Sequence, residues 1–156
     1  MCIRDSGNTD DHGQACRDYE QNMHRHDDLD LQVLGLGVNG HIGFNEPGTP
    51  FDTRTHVIEL DDSTRKANAR FFDSIDDVPT HAITMGIETI MESKHILLLA
   101  SGDGKKEAVY RLLNGEETPD FPASILHHHP NVTVILDRDA ASLLSVEQID
   151  QVVGPK

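Results

Sequence analysis

A histidine, a glutamate and an asparagine lie close together in one glycine-rich segment of the sequence. Glu46 follows His41 by five positions, and Asn39 precedes the histidine by two. Imidazole groups titrate near neutral pH, and a neighbouring carboxylate fixes the tautomer and raises the basicity of the ring. A loop histidine is often only solvated, but a carboxylate this close in the same short loop favours a functional pair. These residue types predict proton transfer by general acid–base catalysis.

The segment follows a short apolar run, residues 31–37 (LQVLGLG), which predicts a buried parallel strand. Four glycines then fall within nine residues, at positions 35, 37, 40 and 43. Glycine allows positive φ angles and lets a ligand approach the backbone closely. Because ligands of open α/β sheets bind at the carboxyl ends of the strands, we predict the site in this loop.

Residues 35–47, GLGVNGHIGFNEP, resemble the signature of the glucosamine-6-phosphate deaminase family. The wider superfamily of sugar-phosphate isomerases and phosphogluconolactonases shares only the first part, G-x-G-x-(D/N)-G-H. The continuation IGFNEP resembles the deaminase branch, and it disfavours a lactonase. The similarity extends from about residue 28 to about residue 144.

The resemblance implies that glucosamine 6-phosphate and water are converted to fructose 6-phosphate and ammonia, without a metal or an organic cofactor. It also implies that Asn39, His41 and Glu46 form the group that opens the sugar ring. Arg70 and Lys105 match family residues that bind the substrate phosphate, although a helix arginine is more commonly only solvated. A non-catalytic phosphosugar-binding domain of the same superfamily is the alternative.

The position of Lys105 supports phosphate binding independently of the resemblance. A strand predicted at residues 94–101 runs into the glycine turn GDG and a helix that ends before Gly115. Helix N-termini bind anions, and a lysine there opposes the helix dipole unless an anion is present. Lys106 is adjacent and is the alternative ligand. The histidines at 127–129 point to alternate faces of an extended segment, so no metal site is predicted.

Alternating strands and helices predict an α/β fold with an open, mainly parallel sheet and flanking helices, of Rossmann-like type. Further strands are expected at residues 56–60, 78–86 and 132–136, and helices at 14–26, 67–72, 87–93 and 123–126. The tail to Lys156 is polar, and Pro155 argues against a helix ending there. Residues 7–156 are predicted to form a single, partial domain, and residues 1–6 are a candidate non-native scar.

Composition argues against several classes of protein. The 156 residues include 27 acidic and 13 basic side chains, so the net charge is −14 and nucleic acid is not an expected partner. No stretch is long and apolar enough to span a membrane, and two cysteines do not suggest a disulfide scaffold. We expect a cytoplasmic protein that binds a small phosphosugar and, at full length, forms a homo-oligomer.

The first half of the family's pattern does not appear in residues 1–30. The resemblance implies that this half holds a Ser/Thr phosphate turn and the aspartate that moves the C2 proton. The chain therefore resembles the C-terminal part of a deaminase, truncated at its N-terminus, and little or no turnover is expected from it alone. Loss of the first βαβ units would also expose a face of the sheet that is normally covered.

Overall fold

The computed structural model describes residues 9–60, 65–66 and 69–152. Its helices and strands, in chain order, are α1 (His12–Arg25), β1 (Gln32–Gly35), β2 (His56–Glu59), β3 (His81–Thr84), α2 (Ile87–Met91), β4 (Ile96–Ala100), α3 (Lys106–Asn114), β5 (Val132–Leu136) and α4 (Val146–Val152). Short 3₁₀ helices form at Ala69–Phe71, Ile75–Asp77, Asp103–Lys105 and Pro122–His128.

Three of the strands form a parallel sheet in the order β1-β4-β5, which confirms the predicted fold class. Gly35 at the end of β1 lies beside Leu99, and Leu99 lies beside Ile135 of β5. Because the strands are parallel, their carboxyl ends meet at one edge of the sheet, where the loops that follow β1 and β4 can lie together.

The other two strands lie outside this sheet, whereas the sequence predicted one open, mainly parallel sheet. β2 and β3 pair with each other in an antiparallel ribbon, with His56 opposite Thr84 and Glu59 opposite His81. Side chains along β2 alternate between half-buried and exposed. An antiparallel pair of this kind tolerates solvent on one face, so it needs no helices on both sides.

The hydrophobic core lies on one face of the parallel sheet. Leu34, Ile96 and Leu98 point to that face and are almost completely buried. They belong to one apolar cluster that includes three residues of α3, namely Ala108, Val109 and Leu112. Apolar side chains at these helical intervals form the stripe by which α3 packs on the sheet.

The opposite face of the sheet is open to solvent. Val33, Leu99 and Ile135 lie on it and are 52%, 42% and 53% exposed. Parallel strands are usually covered on both faces. Among the described residues, this face of the sheet is therefore apolar and exposed.

A group of charges around Arg54 connects α1 to the segment before β2 and to α2. The guanidinium donates to both carboxylate oxygens of Glu92, at 2.5 and 2.6 Å. Glu20 on α1 accepts hydrogen bonds from the amide of Thr55 (2.9 Å) and the hydroxyl of Thr89 (2.7 Å). Burial alone would raise the pKa of the Glu20 carboxyl, but the bonds from Thr55 and Thr89 and the charge of Arg54 hold it below its ordinary value.

Some predicted elements differ from the observed ones. Of the helix predicted at residues 67–72, the described part forms only the 3₁₀ helix Ala69–Phe71, while 61–64 and 67–68 lie outside the described residues. The strand predicted at 78–86 is shorter, since its first residues follow a 3₁₀ turn. α4 was not predicted from the sequence. No helix in the described ranges is long and apolar enough to cross a membrane.

Candidate active site

The loop that follows β1, residues 36–48, folds back on itself through two glycines. The amide of Gly37 donates to the carbonyl of His41 at 2.9 Å, and the amide of Gly40 donates to the carbonyl of Gly37 at 3.0 Å. A Cβ atom at Gly37 would lie only 2.4 Å from Nδ1 of His41. The ring therefore lies against the backbone at a point where only glycine leaves room for it.

Asn39, His41 and Glu46 come together in this loop. Nδ1 of His41 lies 2.8 Å from Oδ1 of Asn39 and 3.4 Å from Oε1 of Glu46. Nδ2 of Asn39 donates to Oε2 of Glu46 at 2.7 Å. The asparagine thus joins the glutamate to the imidazole through one amide.

The orientation of that amide fixes the tautomer of the histidine. Oδ1 of Asn39 also accepts the backbone N–H of His41 at 3.2 Å, so it must face the histidine, and Nδ2 must face the carboxylate. The opposite orientation would set two oxygens against each other at the glutamate. With an acceptor beside it, Nδ1 carries the proton, and Nε2 keeps a free lone pair that can accept one.

The three side chains can reach a ligand. The side chains of His41 and Glu46 are 35% and 41% exposed, and Asn39 is exposed. Glu46 supplies the single negative charge of the group, because an asparagine at position 39 is neutral. If Nε2 takes up a proton, the resulting imidazolium is stabilised by that carboxylate across 3.4 Å.

Asn45 stabilises the 36–48 loop from its buried side, although it was not among the site residues predicted from the sequence. Its side chain is completely buried, and Nδ2 donates to the carbonyls of Ile42 (2.9 Å) and Met85 (2.8 Å). The hydroxyl of Thr84 accepts the amide of Phe44 at 3.1 Å. The end of β3 therefore anchors the residues immediately before Glu46. Only the family signature, and no apolar periodicity, could have pointed to this asparagine.

Lys105 lies at the end of the neighbouring strand. β4 leads into Gly102, whose φ is 86°, and then into the 3₁₀ helix Asp103–Lys105. Because β1 and β4 are parallel neighbours, this turn and the 36–48 loop leave the same edge of the sheet. Lys106 pairs with Asp103 at 2.8 Å, whereas Lys105 forms no ion pair with any residue that the structure describes. Lys105 is thus the better placed of the two lysines to meet an anion.

Asp137, which follows β5, fixes the same turn. Its carboxylate accepts the amide of Gly102 and the amide of Ala140, both at 2.8 Å. These bonds from Ala140 and Gly102 hold the pKa of Asp137 below its ordinary value. The amide of Gly102 is therefore already bonded and is not free to bind an anion at this turn.

The structure does not join Arg70 to the rest of the group. This residue lies exposed on the 3₁₀ helix Ala69–Phe71, with its guanidinium carbon 4.7 Å from the centre of the Phe71 ring. Within the described ranges, no hydrogen bond or ion pair links it to His41 or Lys105. Its role as a phosphate ligand stays a prediction.

The three adjacent histidines have separate partners, and His127 and His128 end the 3₁₀ helix Pro122–His128 rather than lie in the extended segment that the sequence predicted. His127 bonds the carbonyl of Leu112 at 2.5 Å, and His128 pairs with Glu117. His129 is buried, with Nε2 2.6 Å from the carbonyl of Ser93. The rings do not converge on a common point that could hold an ion.

A second group of titratable side chains lies away from the 36–48 loop. Glu20, His24 and Glu92 present ligand atoms within 4.8 Å of one another, beside a cavity of about 670 Å³ between α1 and β2. Both carboxylate oxygens of Glu92 already accept from Arg54, so a guanidinium occupies the place that a metal ion would need. No residue that lines the cavity belongs to the 36–48 loop.

The chain matches a known protein family over most of its length. The family model of glucosamine-6-phosphate isomerases/6-phosphogluconolactonase matches residues 2–135. Glucosamine-6-phosphate deaminase 1 of Bacillus subtilis (strain 168) is 60% identical over 138 residues, which are 88% of this chain and 57% of that protein. The deaminase of Geobacillus sp. (strain WCH70) is 59% identical over 143 residues, 92% of this chain and 57% of that protein.

A solved structure described as a monomeric glucosamine-6-phosphate deaminase superposes with a TM-score of 0.81 at 60% identity. The match covers 88% of this chain and 57% of the solved one. The chain therefore spans little more than half the length of the relatives it matches.

Proposed function

We propose that this chain, which belongs to the family of glucosamine-6-phosphate isomerases and 6-phosphogluconolactonases, provides the ring-opening site of a glucosamine-6-phosphate deaminase. The whole enzyme would convert glucosamine 6-phosphate and water to fructose 6-phosphate and ammonia. The observation that supports this best is the chain of bonds from Glu46 through Asn39 to Nδ1 of His41, which leaves Nε2 able to accept a proton. Relatives about 60% identical carry the deaminase name.

Ring opening requires one proton to move within the sugar. Nε2 of His41 takes the proton of the anomeric hydroxyl, the C1=O bond forms, and the bond from C1 to the ring oxygen breaks. The same nitrogen then returns the proton to the ring oxygen, so atoms and charge balance. During transfer, the imidazolium donates from Nδ1 to Asn39 and lies 3.4 Å from Glu46, which stabilises its charge.

The phosphate is proposed to bind at the edge of the sheet where β4 ends. Lys105 makes no ion pair with a described residue, and the loop that carries His41 leaves the adjacent strand. An ammonium group there would fix one end of the sugar while the imidazole acts on the other. We assign Arg70 to the same phosphate through the family resemblance alone.

The later proton transfer between C2 and C1 needs a further base. The family resemblance gives this task to an aspartate in the first half of the family's pattern, which does not appear in residues 1–30, and the relatives extend beyond the matched region. We therefore propose that this chain opens the ring but, alone, releases little or no ammonia. We also propose a cytoplasmic location; the predicted homo-oligomer stays a prediction, since one solved relative is described as monomeric.

Exchange between the two anomers of glucosamine 6-phosphate tests ring opening without the missing base. Each anomer converts to the other only through the open chain, so NMR exchange spectroscopy measures the ring-opening rate directly. We expect the chain to accelerate exchange, and His41→Ala to lose about 10²–10⁴-fold of that acceleration while calorimetry still detects binding. His81→Ala, which removes an exposed histidine on β3, is the matched control.

Binding and anomer exchange together distinguish the proposed function from its alternative. Binding without accelerated exchange would favour the alternative, a phosphosugar-binding domain without catalysis. The absence of both binding and acceleration would refute the proposed function for this chain. Weaker binding by Lys105→Ala, with Lys106→Ala unchanged, would support the assignment of Lys105 to the phosphate.

A further inference from the structure

A loop at residues 118–124 contacts both ends of the segment that carries His41. The amide of Ala123 donates to the carbonyl of Gly40 at 2.9 Å, and the amide of Gly48 donates to the carbonyl of Pro119 at 2.9 Å. One short loop thus bonds the residue before His41 and a residue just after Glu46. It is distant in sequence from both, so its contact with them depends on the tertiary fold.

Phe121 in this loop lies flat against Gly40. A Cβ atom at position 40 would be 2.2 Å from Cδ2 of Phe121 and 2.4 Å from Cε2. Gly40 has a φ of +87°, a conformation that side chains disfavour, and Phe121 is only 1% exposed. The ring therefore fills the space on one side of the residue that connects Asn39 to His41.

The 118–124 loop is itself closely held. The hydroxyl of Ser124 accepts the amide of Thr118 at 2.9 Å and lies 3.1 Å from the carbonyl of Thr118, to which it donates. The guanidinium carbon of Arg111, on α3, lies 4.5 Å from the centre of the Phe121 ring. Because α3 begins directly after Lys105, the same helix connects the aromatic ring to the turn that carries this lysine. A loop fixed at both ends can hold the ring in one place.

We infer that Phe121 is a positioning residue for His41: its ring fixes the backbone of Gly40 and so keeps Oδ1 of Asn39 in bonding distance of Nδ1 of His41. Phe121 does not touch the substrate in this scheme. If the ring is removed, Gly40 gains conformational freedom, because glycine has no side chain to restrict it. The 2.8 Å bond between Asn39 and His41 is then no longer imposed, and the imidazole loses its single tautomer.

This inference rests on the proposed function only for its effect on rate. The tautomer of His41 can be measured on the chain alone, from the ¹⁵N shifts of the two ring nitrogens, with no substrate present. A failure of ring opening in the unmodified chain would refute the proposed function, and the tautomer measurement would still decide the role of Phe121.

Phe121→Leu is the test variant, and Leu112→Ala, a buried residue of α3, is the matched core control. We expect Nδ1 of the unmodified chain to be fully protonated, Phe121→Leu to show a mixture of tautomers, and Leu112→Ala to keep the single one. Anomer exchange should fall about 10–100-fold in Phe121→Leu with little change in the affinity for glucosamine 6-phosphate, because a small misplacement affects the rate more than binding.

Two results would overturn the inference. One is an unchanged tautomer and rate in Phe121→Leu; the other is an equal loss in Leu112→Ala, which would indicate a general effect of core destabilisation. If Phe121→Leu fails to fold, Phe121→Met fills the same space without a flat ring and is judged by the same two results.

Discussion

Replacing Asn45 by alanine should destabilise the chain by about 2 kcal/mol. The variant loses two buried hydrogen bonds, to Ile42 (2.9 Å) and Met85 (2.8 Å), each worth about 0.5–1.5 kcal/mol net. Both carbonyls keep a second donor, the amide of Asn45 itself and the hydroxyl of Thr84, so neither is left without a partner. No residue that the structure describes bonds the buried Oδ1 of Asn45, and the removal of this atom offsets part of the loss.

At neutral pH, Asn45→Asp should destabilise the folded chain more than Asn45→Ala does. A carboxylate at this fully buried position would face two carbonyl oxygens and have no donor, which costs several kcal/mol. Acidification protonates the carboxyl group, which can then donate one bond again. The stability of Asn45→Asp relative to Asn45→Ala should therefore improve as the pH falls.

Urea denaturation, followed by circular dichroism, measures these differences if the unfolding slope is unchanged. For a chain of this size, a loss of about 2 kcal/mol lowers Tm by about 4–8 °C. Asn131→Ala is the matched control, because this exposed asparagine makes one side-chain bond to a described residue, donating to the carbonyl of Lys94 at 3.2 Å. A stability loss for Asn45→Ala no larger than that of Asn131→Ala would refute the idea that Asn45 anchors the loop.

Three further results are expected. Glu46→Gln should slow anomer exchange more than Asn39→Ala, because only the glutamate supplies negative charge; equal effects in the same NMR assay would contradict this division. The folded-state pKa of Glu20 is lowered, so its contribution to stability is present above its unfolded pKa and disappears as the pH falls through the folded value. Urea titrations across the acid range should show a flatter pH dependence for Glu20→Gln. Val33→Lys or Ile135→Lys should reduce self-association through the exposed apolar face of the sheet, as measured by sedimentation velocity. Unchanged association would exclude that face as the contact.

The elements that local pattern determines were predictable from the sequence. The apolar runs of β1 and β4 end at glycines, and both form neighbouring strands of the predicted parallel sheet. His41 and Glu46 are close in space largely because they are close along the chain. A site confined to one loop can be inferred from spacing alone, since the loop cannot carry its residues far apart.

The features that depend on contacts distant in the sequence could not be predicted. Phe121 meets Gly40 across eighty positions, and no periodicity links the two. The antiparallel pairing of β2 with β3 likewise depends on which strand each one meets in the folded chain. The difference between Lys105 and Lys106 rests on Asp103, which pairs with only one of them. Both lysines could be identified as candidates from the sequence, but the ion pair between Lys106 and Asp103 could not.

The amide of Asn39 has one donating end and one accepting end, and this direction restricts where protons can travel. An amide cannot relay a proton from imidazole to carboxylate as a water molecule could, so along this path Glu46 acts on His41 through its charge. The substrate proton therefore enters and leaves the ring at Nε2, the outer nitrogen.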